Sequence, residues 1–381
     1  MKILLVGEYS RLHNSLKEGL EALGHEVIIV GTGDDFKKYD VSYSLHPKFI
    51  RERWLFKKFK NLLYRITSFD LEKTEKGIRF YFLLPKLKNF DHIQFINSDA
   101  IETQPTLGLW LYKKLYRNNS VATKSLLVCG DETPVVDYLL KQELEYSILT
   151  PFFENKSLKE EFKFTIKYTT KNYRKLFNWV HQNSQSLLVS DLDYKIPMER
   201  MGFSFDFIPN PINVAKIEYS DLEITDKVVI FLGINRMNYI KKGIHYFEEA
   251  LEIIKTKYPE KIELIISEDV PYSEYIKSYN RAHILLDMVY AFDQGYNALE
   301  AMSKGKVVFT GASPDFEKEF NLTEKVAIDA VPDAIKIADE LCFLIENPLE
   351  IIAIGKRARQ FIEKEHDYIF IAGKYLSVWR K

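Results

Sequence analysis

Short, nearly continuous apolar runs alternate along the chain with longer stretches in which apolar residues recur every three or four positions. The runs ILLV (3–6), EVIIV (26–30), HIQFI (92–96), SLLVC (125–129), SLLVS (186–190) and FDFIP (205–209) read as buried strands. Leu12, Leu16, Leu20 and Leu23 set a helical stripe over 10–23, closed by Gly24-His25, and the spacing predicts further helices over 106–116 and 158–179. After an aperiodic stretch, 210–227, which follows Pro209 and contains Pro211, a second series begins. Its strands are VVIFLG (228–233), IELII (262–266), ILLD (284–287), KVVFT (306–310) and VAIDA (326–330). Helices are expected over 242–257, near 272–279, over 332–345, and as two closing elements, 348–364 and 368–379. Strands alternating with helices in this way predict an α/β fold with parallel sheets covered on both faces. At 381 residues the chain is long for one core. The expected division is an N-terminal lobe over 1–210, a C-terminal lobe over 211–365 and a closing helix over 366–381.

Composition excludes more than it selects. With 46% hydrophobic and 28% charged residues the chain is of ordinary globular type, and a net charge of −1 argues against a nucleic-acid partner. Cys129 and Cys342 each lie in an apolar run and read as buried thiols of a reducing compartment. The apolar run of the N-terminus is too short for a signal peptide and suits a first strand, and no run approaches a membrane span, so a cytoplasmic location is expected. The eight histidines show no metal-ligand spacing, and no metal site is expected. The loop GEYSRLHNS after the first strand lacks the GxGxxG fingerprint, and no GxSxG elbow occurs.

One stretch breaks the neutral average. Between Val41 and Phe90 there are 12 Lys+Arg against 4 Asp+Glu. Between Lys48 and Arg65, helical spacing puts Leu55, Phe56, Phe59, Leu62, Leu63 and Ile66 on one face, with Arg51, Arg53, Lys57, Lys58 and Lys60 mostly off it. Two readings stand: a solvated helix packed on the sheet, or a peripheral contact with an anionic membrane at its inner face.

The segment from Ile284 to Gly311, ILLDMVYAFDQGYNALEAMSKGKVVFTG, carries the most chemistry. A strand, a loop with Gly295, a short helix with Glu300 and another strand put a helix N-terminus at the carboxyl edge of a parallel sheet. Exposed N–H groups there favour an anion, and Glu300 is placed to meet a neutral polyol beside it. An anion beside a polyol describes a nucleotide. Arg236 and Lys242 fall in the loop after strand 228–233, with Gly243 opening the next helix, and read either as a pyrophosphate site or as two surface cations. In the first half, VCGDETP places Asp131 and Glu132 after a strand. Asp131 either caps the helix opening at Thr133-Pro134 or works in a cleft. His13 and Asn14, after the first strand, face the same cleft or are plain surface residues.

The pattern Gly233-x-x-Arg236-x5-Lys242-Gly243, then SYNRAHILLDM (278–288) and GYNALEAMSKGKVV (295–308), resembles the nucleotide-sugar half of family 4 (group 1) glycosyltransferases. The resemblance spans roughly 228–381, including a closing helix like KEHDYIFIAGKYLSVW, and continues more weakly through 1–211. It implies the GT-B fold: two Rossmann-like lobes with parallel sheets, the donor in the C-terminal lobe, and a C-terminal helix packing back toward the N-lobe. It implies transfer of a sugar, with retention, from a UDP-, GDP- or ADP-sugar to a hydroxyl of a glycan or lipid-linked acceptor in polysaccharide assembly, with no further cofactor. By position, Arg236 and Lys242 would bind the diphosphate, Glu300 the ribose, and Gly295, Tyr296 and Asn297 the rest of the donor. The family's other glutamate, eight residues before Glu300, is replaced by Phe292 with Asp293 beside it, and its glycine pair by Ser267-Glu268-Asp269. Its N-lobe histidine is absent where Asp131 and Glu132 stand. Asp131 and Asp293 therefore join Arg236 and Lys242 as catalytic candidates, with His13, Asn14 and Glu132 on the acceptor side. A degenerate nucleotide-sugar-binding protein and an epimerase on the same fold are the alternatives.

Overall fold

Residues 1–34, 39–67, 69–268, 270 and 272–380 are described by the structure, a computed structural model, without the side chains of 55–57, 59, 62 and 272–275. The first lobe holds β1 (Lys2–Val6), β2 (Glu26–Gly31), β3 (Tyr43–Ser44), β4 (His92–Phe95), β5 (Thr123–Val128), β6 (Ser186–Val189) and β7 (Asp206–Phe207). They form one parallel sheet in the order β3-β2-β1-β4-β5-β6-β7. The second lobe holds β8 (Val228–Ile234), β9 (Ile262–Glu268), β10 (Ile284–Leu286), β11 (Val307–Thr310) and β12 (Ile328–Asp329), parallel in the order β12-β11-β10-β8-β9. Most positions of β1, β4, β10 and β11 are buried on both faces, as their unbroken apolar runs require. The order reverses between β1 and β4 in one sheet and between β8 and β10 in the other, and such switch points are where open α/β sheets leave a crevice.

A polar core runs through the N-lobe. His92 is fully buried on β4, yet Thr123 Oγ1 lies 2.7 Å from Nδ1 and Ser125 Oγ 2.8 Å from Nε2, while the ring stacks on Trp379 at 4.1 Å. Ser125 in turn donates to Gln94 Oε1, and Gln94 Nε2 lies 3.2 Å from His13 Nε2. Burial lowers His92 to about 3 and His13 to about 4, so both rings stay neutral and both nitrogens are occupied.

Three sequence expectations change. The helix expected over 158–179 is broken into 3-10 turns at Lys156–Glu160 and Lys167–Thr169, a short helix Lys163–Ile166 and the helix Lys171–Gln182. Thr169 and Thr170 donate their hydroxyls to the carbonyls of Ile166 and Lys167, a local competitor of the helix ladder that apolar spacing does not reveal. The aperiodic 210–227 stretch is not slack throughout: Ile212 N donates to His366 O, and Tyr296 Oη donates to Pro211 O. The basic stretch forms helices Lys48–Glu52 and Trp54–Thr67. The side chains of Leu55, Phe56, Phe59 and Leu62, on which much of the predicted stripe rests, lie outside the described ones, as does that of Lys57. Ile66, expected on that stripe, is 73% exposed, while Arg51 and Lys60 both pair with Glu72. Among the described residues no helix is long and apolar enough to cross a membrane, and both cysteines are free thiols.

The chain's last helix, Tyr368–Trp379, leaves the C-lobe and buries Ile371, Ala372, Tyr375 and Trp379 in the N-lobe core. It lies against helix Leu12–Ala22 at Gly19, where an added Cβ would come within 2.1 Å of Tyr368 O and 2.9 Å of Ala372 Cβ. Alanine normally favours a helix over glycine. Here Gly19→Ala forces two helices apart and should destabilise the protein by about 1–3 kcal/mol. A urea titration with an unchanged or raised midpoint would contradict this close packing.

Candidate functional site

At the switch point of the C-lobe sheet, the chain leaving β8 and the chain leaving β10 meet through Asp287. This carboxylate, 4% exposed, accepts from Lys242 Nζ at 2.8 Å and from Asn297 Nδ2 at 2.7 Å. Gly243 stands at φ 67°, and a Cβ there would meet Val289 Cβ at 2.9 Å, so only glycine lets the Lys242 turn close on the β10 loop. Asn297 opens helix Tyr296–Ser303, whose N-cap is Gly295 with no capping side chain. Its first amides lack partners within the helix and face the exposed Gly295 position. One turn on, Glu300 is half-buried. The Tyr39 phenol on the opposite lobe is raised by burial and then by the charges of Glu300, Asp34 and Glu8.

Arg236 is placed differently. It lies in the 3-10 turn Arg236–Asn238, and its guanidinium makes a two-point pair with Glu268 at the end of β9, Nη2 to Oε2 at 2.6 Å. Since β8 lies between β10 and β9, Lys242 leans to one neighbour and Arg236 to the other. The two cations nominated by sequence are thus splayed, each held by a carboxylate. Both partners of the Arg236 pair are about half exposed, and an exposed pair of this kind exchanges readily for a competing anion. Glu268 occupies the stretch where the family resemblance leads to a glycine pair.

The loop ahead of Gly295 is built into the seam between the lobes. Asp293 Oδ2 accepts from Leu192 N at 3.0 Å, at the opening of helix Leu192–Arg200, and Oδ1 accepts from Gln294 N at 2.7 Å. In return, Asp193 Oδ1 accepts from Phe292 N at 3.0 Å. The Phe292 ring stacks on Tyr146 with centroids 4.9 Å apart and planes 5° apart. Lys195 pairs with Glu319 beside them. Gly311 admits this arrangement, since a Cβ there would lie 2.4 Å from Asp293 N. The Asp293 carboxylate therefore caps an N-lobe helix; it is turned into the interface rather than toward the mouth of the cleft. Burial raises Asp191, Asp193 and Asp293 alike; the neighbouring carboxylates raise Asp191 and Asp193 further, and Glu319 raises Asp293.

On the N-lobe the structure corrects the acceptor-side expectations. His13 is fully buried in helix Leu12–Ala22, its Nδ1 2.7 Å from Gly7 O, and does not face the cleft. Asn14 is committed to Glu8, donating its backbone and side-chain N–H to Oε2 at 2.8 and 2.6 Å. Glu132, not Asp131, caps helix Thr133–Leu139: it is fully buried, accepts from Ser98 N, Ser98 Oγ and Thr133 N, and is pushed up to about 7 by burial. Asp131 is released from capping. Its Oδ2 accepts from Thr165 Oγ1 at 2.6 Å, and the same hydroxyl accepts from Lys241 Nζ, across the cleft, at 2.9 Å. Tyr296, expected at the donor, instead reaches Pro211 O with its hydroxyl. Sequence reasoning passed over Glu8, Asp193, Lys241 and Asp287. Glu8 had a visible signal, an acid directly after β1 and Gly7. It is 1% exposed, raised by burial to about 8, and its Oε1 lacks a hydrogen-bond partner. Among the described residues no cluster of His, Cys, Asp and Glu is arranged to hold a metal ion.

Comparison with known proteins finds a family match on the C-lobe. Residues 241–377 match the model of a glycosyl transferase-like family, a span that begins beside Lys242 and ends in the closing helix. No curated protein sequence matches the chain. Among solved structures, sucrose-phosphate synthase from Thermosynechococcus elongatus superposes with a TM-score of 0.60 at 14% identity, covering 100% of this chain and 98% of the other. The Anabaena protein HepE, solved with UDP and glucose, gives 0.58 at 11% identity, covering 100% and 99%. A candidate UDP-N-acetylglucosamine 2-epimerase from Listeria monocytogenes gives 0.55 at 11%, covering 99% and 94%. At such identities the likeness is one of fold, and that fold is the two-lobed GT-B architecture.

The buried acids of the seam give a prediction. A carboxyl whose folded pKa is raised stabilises the fold fully below its unfolded value and loses that contribution as pH rises through the folded value. For Asp193, raised to about 7, the window runs from about pH 4 to about pH 7. Asp193→Asn keeps an acceptor for Phe292 N and removes the charge. It should raise the melting temperature by a few degrees at pH 8, with the gain vanishing toward pH 4. Parallel melting curves for wild type and variant across that range would contradict the seam as described.

Proposed function

We propose that the protein is a glycosyltransferase that moves a sugar from a nucleoside-diphosphate sugar to a hydroxyl of a glycan or lipid-linked acceptor, with retention of anomeric configuration. The observation that carries this reading is the junction of Lys242, Asp287 and Asn297 at the N-terminus of helix Tyr296–Ser303, which no side chain caps, with Glu300 one turn along. A cation, the N-terminus of a helix and an acid for vicinal hydroxyls match a diphosphate joined to a ribose. The match of residues 241–377 to a glycosyl transferase-like family supports the same assignment.

In the step proposed, the acceptor oxygen bonds to the anomeric carbon and the bond from that carbon to the diphosphate oxygen breaks. The electron pair leaves on the diphosphate, where Lys242, the helix amides and Arg236, once exchanged from Glu268, meet the growing charge. The acceptor's proton passes to a carboxylate at the cleft. Asp131 is the candidate, because its Thr165 hydroxyl and Lys241 contacts span the two lobes. Asp293 serves here as a positioning residue: it fixes the loop that precedes the donor helix.

A binding protein without transfer activity is the second reading. It is favoured by Phe292, which stands where the family resemblance calls for a sugar-contacting acid and is stacked on Tyr146. Incubation with UDP-, GDP- and ADP-sugars separates the two, since nucleoside diphosphate is released in the first reading and only bound in the second.

Calorimetric titration with the nucleoside diphosphate tests the site itself. Lys242→Ala and Arg236→Ala should each weaken binding about tenfold or more, because each removes a charge-assisted hydrogen bond. Glu268→Gln should tighten it, because the competing carboxylate is gone. Unchanged affinity in both alanine variants would remove the donor from this loop.

A further inference from the structure

The three helices Leu71–Leu83, Pro105–Asn118 and Lys171–Gln182 lie side by side on one face of the N-lobe sheet. Their outward positions form a pattern that the core does not need. On the middle helix, Trp110, Lys113, Lys114 and Arg117 follow i, i+3, i+4, i+7 spacing, with Trp110, Lys113 and Arg117 exposed and Lys114 partly so. On the third, Lys171 and Lys175 point outward, and on the first, Ile78, Tyr81 and Phe82 are 48%, 45% and 72% exposed. The second and third helices carry six cations and no acid. Two grooves flank the middle helix. One, of about 910 Å³, lies between Lys113, Lys171, Lys175 and Trp179; the other, of about 340 Å³, lies between Tyr81, Phe82, Lys88, Lys114 and Arg117. Arg174 is paired with Asp137, but among the described residues no carboxylate pairs with the other cations named here.

We infer that this face docks on an anionic lipid bilayer. The cations meet phosphate headgroups, while Phe82 and the Tyr81–Trp110 stack, 5.5 Å between centroids, enter the boundary between headgroups and acyl chains. Lys114 sits 4.5 Å over the Trp110 ring, so charge and ring reach the surface together. The exposed rings select a bilayer over a soluble polyanion, which would need the cations alone. In a chain of net charge −1 the concentration of cations on one helical layer is also a matter of placement rather than composition. Helix Lys48–Glu52 packs beside Leu71–Leu83 and carries the surface on toward Trp54, which is 65% exposed. This surface is distinct from the donor site and stands whether or not the protein transfers sugar.

Co-sedimentation of the full chain with vesicles tests it. At about 0.1 M salt the protein should sediment with vesicles of equal parts phosphatidylglycerol and phosphatidylcholine, and not with phosphatidylcholine alone. The triple variant Lys113→Gln, Lys114→Gln, Arg117→Gln should lose on the order of 100-fold in partitioning. Phe82→Ser with Trp110→Ser should also lose most of the bound fraction, and all variants should keep the wild-type melting curve because the changed positions are on the surface. Failure of wild type to sediment with the anionic vesicles, sedimentation of either variant at the wild-type level, or capture by heparin without capture by vesicles would overturn the inference.

Discussion

The reciprocal exchange between Asp293 and the amide of Leu192, and between Asp193 and the amide of Phe292, is the constraint on which the rest of the structure turns. Each acid accepts from the backbone of the opposite lobe, so the loop 291–295 has no freedom of its own. Its end is Gly295, and Gly295 sets the axis of helix Tyr296–Ser303. The amides that point toward the cleft are therefore aimed by the other lobe. The Phe292–Tyr146 stack and the Lys195–Glu319 pair close the same seam from either side. Burying three carboxyls there is costly while they are charged, and their raised affinity for protons is the trace of that cost.

The C-lobe edge of the cleft inherits a polarity from the sheet. With β8 flanked by β10 and β9, a loop leaving β8 can send one cation to each side. Lys242 is drawn to Asp287, which is buried and shared with Asn297; Arg236 is drawn to Glu268, which is exposed. The first contact is architectural and the second exchangeable. On the proposed reading, a diphosphate over the β8–β10 switch point would meet Lys242 and the helix N-terminus in place, and Arg236 would join by giving up its surface partner.

Much of this architecture was legible in the sequence, because strands buried on both faces and helices with one apolar stripe leave periodic marks. The short edge strand Tyr43–Ser44 left none, and the helix expected over 158–179 was undone by the hydroxyls of Thr169 and Thr170. At the site, residue types were readable and their directions were not. Asp293 was visible as an acid in a ligand-bearing loop, but its partner lies 101 positions away, and nothing local distinguishes a carboxylate aimed at a sugar from one capping a distant helix. Asp131 and Glu132 are adjacent acids before a Thr-Pro helix start. Only the buried Ser98 amide and hydroxyl decide which of them becomes the cap. His13 reads as a loop residue until Gln94 and Gly7 O are seen to hold both of its nitrogens.

The claim that a nucleoside diphosphate sits on the Lys242 turn and the N-terminus of helix Tyr296–Ser303 is tested most directly by amide hydrogen exchange with and without UDP, GDP or ADP. The account predicts that the binding nucleotide slows exchange in the amides of residues 296–298 and 242–244, and leaves the outer helices 105–118 and 171–182 unchanged. Protection confined to the N-lobe, or binding that leaves residues 296–298 unprotected, would contradict it.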